Sequence, residues 1–322
     1  MEKDSGTYGY IYDTLNRLTE ITKDGAILRK YGYDAFGNRS RKLDYTGEMP
    51  LETVYRYNLN NQLIAELTGN TETSYSYDYR GNLTGVSRGE ELIKQFTFDA
   101  TNRMTESMQI ANGVRKHAGY HYNGLGQRVG QDIWSMEGIP TDPEQSIRYT
   151  LDITKQYHNL LQLEETQSNK NQTFYWDGNV VSMEETGEQH FYLQDDLGSP
   201  MELIDTEGRC CVAYGYDEFG VPLYNENTRF RETKAFRAFG ESKECGELIE
   251  PMQPFGYTGY QMDHADGLYF AQARSYDANT GRFTSEDKIR GVLDKPITLN
   301  PYNYCWNKPL DQVDLNGMYL MT

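Results

Sequence analysis

The chain has 322 residues, only 37% of them hydrophobic, and carries 27 Tyr against 12 Phe and 3 Trp together with 30 Gly. This composition argues against a compact α/β enzyme and for an all-β, turn-rich chain, because Tyr suits a half-buried pleated surface and Gly suits tight turns. A net charge of −17 leaves no basic face for phosphate, so no nucleic acid is expected as a ligand, while a cationic partner is permitted.

Cys210, Cys211, Cys245 and Cys305 have no CxxC spacing, and His117, His121, His158, His190 and His264 have no metal-ligand spacing. No metal, disulfide framework or other cofactor is expected. The segment has no apolar run long enough to span a membrane, and Met1-Glu2-Lys3-Asp4-Ser5 lacks the apolar stretch of an export signal. In a longer protein such a signal would lie upstream.

A repeat fills residues 1–133. Its heads are Tyr12-Asp13, Tyr33-Asp34, Tyr57-Asn58, Tyr77-Asp78, Phe98-Asp99 and Tyr122-Asn123, at intervals of 20 to 24 residues. A turn follows each head, as in Phe36-Gly37-Asn38-Arg39 or Arg80-Gly81-Asn82, and then apolar–polar alternation such as Leu18-Thr19-Glu20-Ile21. This period fits one β-hairpin per repeat. A lone hairpin is marginal in water, so neighbouring hairpins must pair edge to edge. The heads predict a Tyr ladder that includes Tyr33, Tyr57 and Tyr77, with Asp or Asn closing each turn through the backbone. They resemble the YD repeats of the Rhs/YD-repeat family; Tyr33-Asp34-Ala35-Phe36-Gly37-Asn38-Arg39 matches that motif in full. The resemblance implies a long, spirally wound antiparallel sheet forming part of a hollow β-cage.

Residues 134–190 read as a less regular β continuation of the shell. Tyr149–Thr154 and Leu160–Leu163 are predicted strands, Gln167–Asn171 a turn, and Thr173–Trp176 the next strand. Tyr192-Leu193-Gln194-Asp195-Asp196-Leu197-Gly198-Ser199-Pro200 resembles the opening of the family's core, which extends over 191–317. Residues 225–254 resemble an insertion, expected to be exposed or poorly ordered. Residues 318–322 resemble the stub of a C-terminal toxin region.

The most specific stretch is Arg274-Ser275-Tyr276-Asp277-Ala278-Asn279-Thr280-Gly281-Arg282-Phe283-Thr284-Ser285-Glu286-Asp287-Lys288. Locally it predicts a strand from Gly267 through Asp277, a turn with a left-handed Gly281, and a second strand from Arg282. It resembles, without a gap, the Rhs-repeat-associated core signature Arg-Tyr-Tyr-Asp-Pro-x-x-Gly-Arg-Phe-x-Ser-x-Asp-Pro, with Ala278 and Lys288 at the two proline positions. The family's terminal Asn-Pro and Asp-Pro-x-Gly pattern is matched at Asn307, Pro309, Asp314 and Gly317, with Leu315 where the family has proline.

That resemblance implies a self-cleaving site made of Asp287, Asp314 and Arg274. Two close carboxylates cannot both ionise cheaply, so one keeps a proton and the other acts as base on water. An Arg can hold one member ionised through a bidentate contact. The cleavage point would follow Gly317, at Met318–Tyr319. Two other readings of these residues remain open: the Asp side chains cap turns, or Asn316-Gly317 reacts slowly without catalysis. Elsewhere, Ser199 reads as structural, and Gly124–Gly130 as a repeat turn rather than a phosphate loop.

The resemblance implies a shell enclosing a C-terminal toxin cargo absent from this chain, exported as part of a larger bacterial protein and secreted or held at the cell surface. Upstream shell segments would complete the cage, and no turnover enzyme is expected. A surface adhesion or carbohydrate-binding module without catalysis is the alternative.

Overall fold

Between Tyr12 and Leu18 the chain reverses through a turn that recurs along the molecule. The Asp13 Oδ1 accepts the N–H groups of Leu15 and Arg17, both at 2.9 Å, and Asn16 takes a left-handed φ of 57°. The same two side-chain-to-backbone bonds, to the second and fourth following residues, form at Asp34, Asn58, Asp78, Asp99, Asn123, Asp195, Asp205 and Asp217. The third following residue is always Gly or Asn at positive φ, the two residue types that reach this region at least cost. The head carboxylate or amide thus replaces backbone partners that a reversing chain would otherwise leave unsatisfied.

The computed structural model describes residues 6–111, 114–135, 142–155, 157–223, 253–318 and 320–321. It divides into two compact units, residues up to Arg103 with those from Arg282 on, and Met104–Gly281. No α-helix occurs among the described residues.

In the first unit the chain forms β1 (Tyr8–Tyr12), β2 (Leu18–Lys23), β3 (Ala26–Tyr33), β4 (Arg39–Asp44), β5 (Leu51–Tyr57), β6 (Leu63–Thr68), β7 (Thr71–Tyr77), β8 (Leu83–Arg88) and β9 (Glu91–Phe98). Each pairs antiparallel with the next. A bulge precedes each head, so that Tyr12 faces Leu18, Tyr33 faces Arg39, Tyr57 faces Leu63 and Tyr77 faces Leu83. A bulge re-aims the residue beside it. It turns the Tyr33 hydroxyl onto the Leu18 carbonyl at 2.7 Å and the Tyr57 hydroxyl onto the Arg39 carbonyl at 2.8 Å. Tyr33 and Tyr57 thus each fasten the hairpin before them through a hydroxyl-to-backbone bond, while Tyr77 meets the Tyr302 ring edge-on.

The second unit repeats the pattern with β10 (Met104–Ala111), β11 (Val114–Tyr122), β12 (Arg128–Ser135), β13 (Gln145–Asp152), β14 (Asn159–Glu165), β15 (Lys170–Asp177), β16 (Asn179–Glu185), β17 (Glu188–Gln194), β18 (Pro200–Asp205) and β19 (Cys210–Ala213), again paired in order. Here the Tyr122 hydroxyl donates to the Met104 carbonyl. The strands from Gln145 on are more regular than their sequence suggests. Leu160, Leu163, Phe174, Val180, Met183 and Tyr192 share one core with Leu203 and Phe255, so shared apolar packing holds these strands together. Phe255 meets Phe174, Trp176 and Tyr192 edge-on, at centroid distances of 5.1, 5.4 and 6.2 Å.

The core signature opens in the second unit as β20 (Gln261–Asp263), β21 (Leu268–Ala271) and β22 (Arg274–Asp277), and closes in the first as β23 (Arg282–Phe283), β24 (Val313–Asp314) and β25 (Leu320–Met321). The single strand expected from Gly267 to Asp277 is in fact two. Gln272 adopts a φ of 59° and the chain folds back so that Ala271 faces Arg274. Gln272 also donates to the His158 carbonyl at 3.1 Å, a long-range contact with no local signal. Gly281 is left-handed as expected. The predicted insertion lies outside the described residues apart from Gln253 and Pro254.

Candidate functional site

Asp314 ends β24 and begins a turn of the repeat-head form. Its Oδ1 accepts the Met318 N–H at 2.9 Å, four residues on, and Gly317, three on, has a φ of 73°. The chain then returns as β25, with Asp314 facing Leu320. The Asn316 Oδ1 shares the same Met318 N–H at 3.1 Å. A buried carboxylate is thereby held against the backbone just past Gly317. Tyr319, the far side of the expected cleavage point, lies outside the described residues.

Asp287 belongs to the same unit. Its N–H donates to the Pro301 carbonyl at 3.0 Å and its Oδ1 accepts the Ile289 N–H at 2.7 Å. The second bond is a turn cap, one of the two roles the sequence left open for it. Arg274 lies in the second unit, buried on β22.

In the first unit the segment that bears Asp287 and Asp314 reads the carbonyls of the repeat turns. The Tyr302 hydroxyl donates to the Gly81 carbonyl at 2.9 Å and its ring meets Tyr77 edge-on at 5.9 Å. Asn300 donates to the Asn38 Oδ1 at 2.7 Å, and Asn307 to the Gly37 carbonyl at 2.8 Å. The Arg282 guanidinium donates to the Asn38 Oδ1 and the Asn61 carbonyl and lies over the Tyr57 and Tyr302 rings. Cys305, Trp306 and Asn307 hold φ values of 46°, 51° and 61° in succession. Residues with a Cβ normally visit that region singly, so these contacts sustain a strained stretch just ahead of Asp314.

The second unit uses the same device on a buried turn. Tyr257, Tyr269 and Tyr276 donate to the carbonyls of Glu218, Gly220 and Phe219, all within the turn headed by Asp217. Ser199 is structural as expected, its hydroxyl accepting the Thr258 N–H at 3.0 Å. Gly126, inside the stretch read as a repeat turn, takes the left-handed conformation of such turns.

A buried charged cluster in this unit escaped the sequence reading. Arg128 on β12 pairs with Asp263 at 2.6 Å, donates to the Gln261 Oε1 at 3.1 Å, and lies over the Phe270 ring at 3.8 Å. Asp266 accepts from the Tyr120 hydroxyl at 3.0 Å, and Ser107 bonds the same hydroxyl. Burial pushes the Asp263 carboxyl up to about 6, against the pull of Arg128 and with a further push from Asp266. Apart from the half-buried Gln261, these side chains are buried, so the cluster serves to join the core strands to β11 and β12.

No family model matches the chain. It is 26% identical over 315 residues to the tRNA3(Ser)-specific nuclease WapA of Bacillus spizizenii, covering 96% of this chain and 12% of that protein. It is 26% identical over 365 residues to Toxin protein Tse5 of Pseudomonas aeruginosa, covering 97% of this chain and 25% of that protein. The solved structure of TcdB2-TccC3 without its hypervariable C-terminal region aligns with 98% of this chain and 18% of its own, at 16% identity and a TM-score of 0.48. The chain therefore spans a quarter or less of the length of these curated relatives.

Proposed function

Since the chain is an Rhs/YD-repeat shell protein, matched to its relatives along nearly its whole length, we propose that it is the C-terminal part of a toxin shell. In this reading it helps to enclose a toxin cargo fused after its last residue and cuts that cargo free in cis. Export as part of a larger bacterial protein, completed by upstream shell segments, belongs to the same reading. The names of the relatives, a nuclease and a toxin, support a cargo of that class.

One observation carries the cleavage half of the proposal: the Asp314 carboxylate grips the Met318 N–H, one residue before the expected scissile bond. One of Asp287 and Asp314 holds a proton and polarises the Met318 carbonyl; the other takes a proton from water, whose oxygen attacks that carbonyl carbon. Collapse of the tetrahedral intermediate breaks the C–N bond to Tyr319, and the protonated carboxyl gives its proton to the departing amine. Arg274 enters by family resemblance, as the cation that keeps one carboxylate ionised.

The test is to extend the chain past Thr322 with a folded cargo and follow the product by intact mass. The wild type should split near Gly317, and Asp287→Asn should stay whole, because an amide neither shares the proton nor acts as base. Arg274→Ala should slow the cut. Scission that persists in Asp287→Asn and vanishes in Asn316→Ala would assign the break to uncatalysed Asn-Gly chemistry. An intact wild type would leave a shell without self-cleavage.

A further inference from the structure

The loop from Lys288 to Leu299 is closed on itself. The Thr298 hydroxyl accepts the Val292 N–H at 2.9 Å and donates to the Lys295 carbonyl at 2.7 Å. Backbone bonds join Lys295 to Val292, Thr298 to Lys295 and Leu299 to Pro296. A Cβ on Gly291 would fall 2.1 Å from the Thr298 carbonyl oxygen, so only glycine lets the two limbs meet. The loop grows from the backbone of the candidate site, where the Asp287 N–H donates to the Pro301 carbonyl.

Closure of this kind rests on backbone and one hydroxyl, and it turns the larger side chains outward. Leu293 is 85% exposed, Val292 50%, Ile289 41% and Leu299 39%. Between them stand the exposed cations Lys288, Arg290 and Lys295, which form no ion pair among the described residues. Asp294 is the single acid of this stretch, in a chain whose net charge is −17. An ordered surface that is apolar and cationic, on a strongly acidic chain, is a feature a partner would use.

We infer that this loop is a docking surface for an acidic, apolar polypeptide segment, the part of a cargo-bearing chain that follows the cleavage point. The inference rests on the shell-and-cargo reading above. The loop offers protruding side chains rather than a cleft, so it suits an extended segment that moulds to it better than a folded partner with a matching pocket. The apolar tips bury the segment's apolar side chains, and the three cations select its acids. Docking at the stem of Asp287 keeps the chain leaving the site in contact with the shell.

Binding, not scission, is the readout, so a chain that never cuts still tests the inference. Fluorescence anisotropy is measured on the 322-residue chain with a labelled peptide alternating Leu and Glu, and with its Leu–Lys counterpart. Vesicles of phosphatidylglycerol are assayed by co-sedimentation. The Leu–Glu peptide is expected to bind at least about tenfold more tightly than Leu–Lys. Leu293→Asp, and the combined Lys288→Glu, Arg290→Glu and Lys295→Glu variant, should each weaken it by about as much, with the urea midpoint unchanged because these side chains are exposed. Equal binding of the two peptides, undiminished binding by the triple variant, or vesicle binding without peptide binding would overturn the inference.

Discussion

The turns at Asp34 and Asp314 share a skeleton and differ in what they leave over. At Asp34 the Oδ1 accepts the Phe36 and Asn38 N–H groups, while the Oδ2 accepts the Asn38 side chain at 2.9 Å. The turn itself engages both carboxylate oxygens. At Asp314 the Oδ1 accepts the Met318 N–H, but the fourth residue is now a methionine, with no side-chain N–H to offer the Oδ2. The Asp217 turn, with Val221 at that position, lacks the side-chain donor in the same way, so the fourth residue sets whether a turn grips its own carboxylate twice.

The largest stability contrast should lie between a covered and an open repeat turn. Asp217→Ala orphans the N–H groups of Phe219 and Val221 in a turn wrapped by three tyrosines and should cost about 2–4 kcal/mol. Asp99→Ala, in a turn open to solvent, should cost only about 1 kcal/mol. Urea titration of each variant measures both, and equal costs would break the idea that the core segment seals the turns it covers.

A smaller effect probes the fourth position. At five of the Asp heads that residue donates to the Oδ2: Arg17, Asn38, Asn82, Arg103 and Arg209. Where the head is Asn, it is a Gln that accepts from the head amide: Gln62 and Gln127. Asp99→Asn alone should therefore cost about 0.5–1 kcal/mol, and Arg103→Gln added to it should recover most of the loss. A double variant no better than the single one would show that the pairing is incidental.

The smallest effects are in pH dependence, and their signs are opposite. Against the cost of burial, the Arg103 and Thr101 N–H groups, the Thr101 hydroxyl and the Arg103 guanidinium pull the Asp99 carboxyl down to about 2. Its folded value lies below its unfolded one, so its contribution is present above the usual carboxylate range and fades as pH falls toward 2. Asp263, raised to about 6, acts the other way: its contribution is full below the usual carboxylate range and is lost as pH rises through 6. Asp263→Asn should flatten the stability curve between those limits and Asp99→Asn should not. The reverse pattern would contradict the assignment of the two groups.

The repeat heads were legible because each is local. A Tyr or Phe, an Asp or Asn, and a Gly or Asn three residues past it fall within six positions, and Asp with Arg or Asn against Asn with Gln was also there to be read. The Arg128–Asp263 pair was not, since its members stand 135 residues apart and neither has a neighbour that demands it. Nor was the break at Gln272, whose left-handed φ is held by a bond to His158 rather than by a glycine. Within the candidate site, the role of Asp314 as a head-type turn residue could have been inferred from Gly317 three positions on.

Asp314 either does more than the head residues whose turn it copies or is one of them. The direct measurement is intact mass of the cargo-extended chain in wild type, Asp314→Asn and Asp34→Asn. Asn58 and Asn123 show that an amide builds this turn, so both variants should fold. Wild type and Asp34→Asn should be cut between Met318 and Tyr319 to the same extent, and Asp314→Asn should remain whole. An Asp314→Asn chain that is cut like the wild type would reduce Asp314 to one more hairpin end.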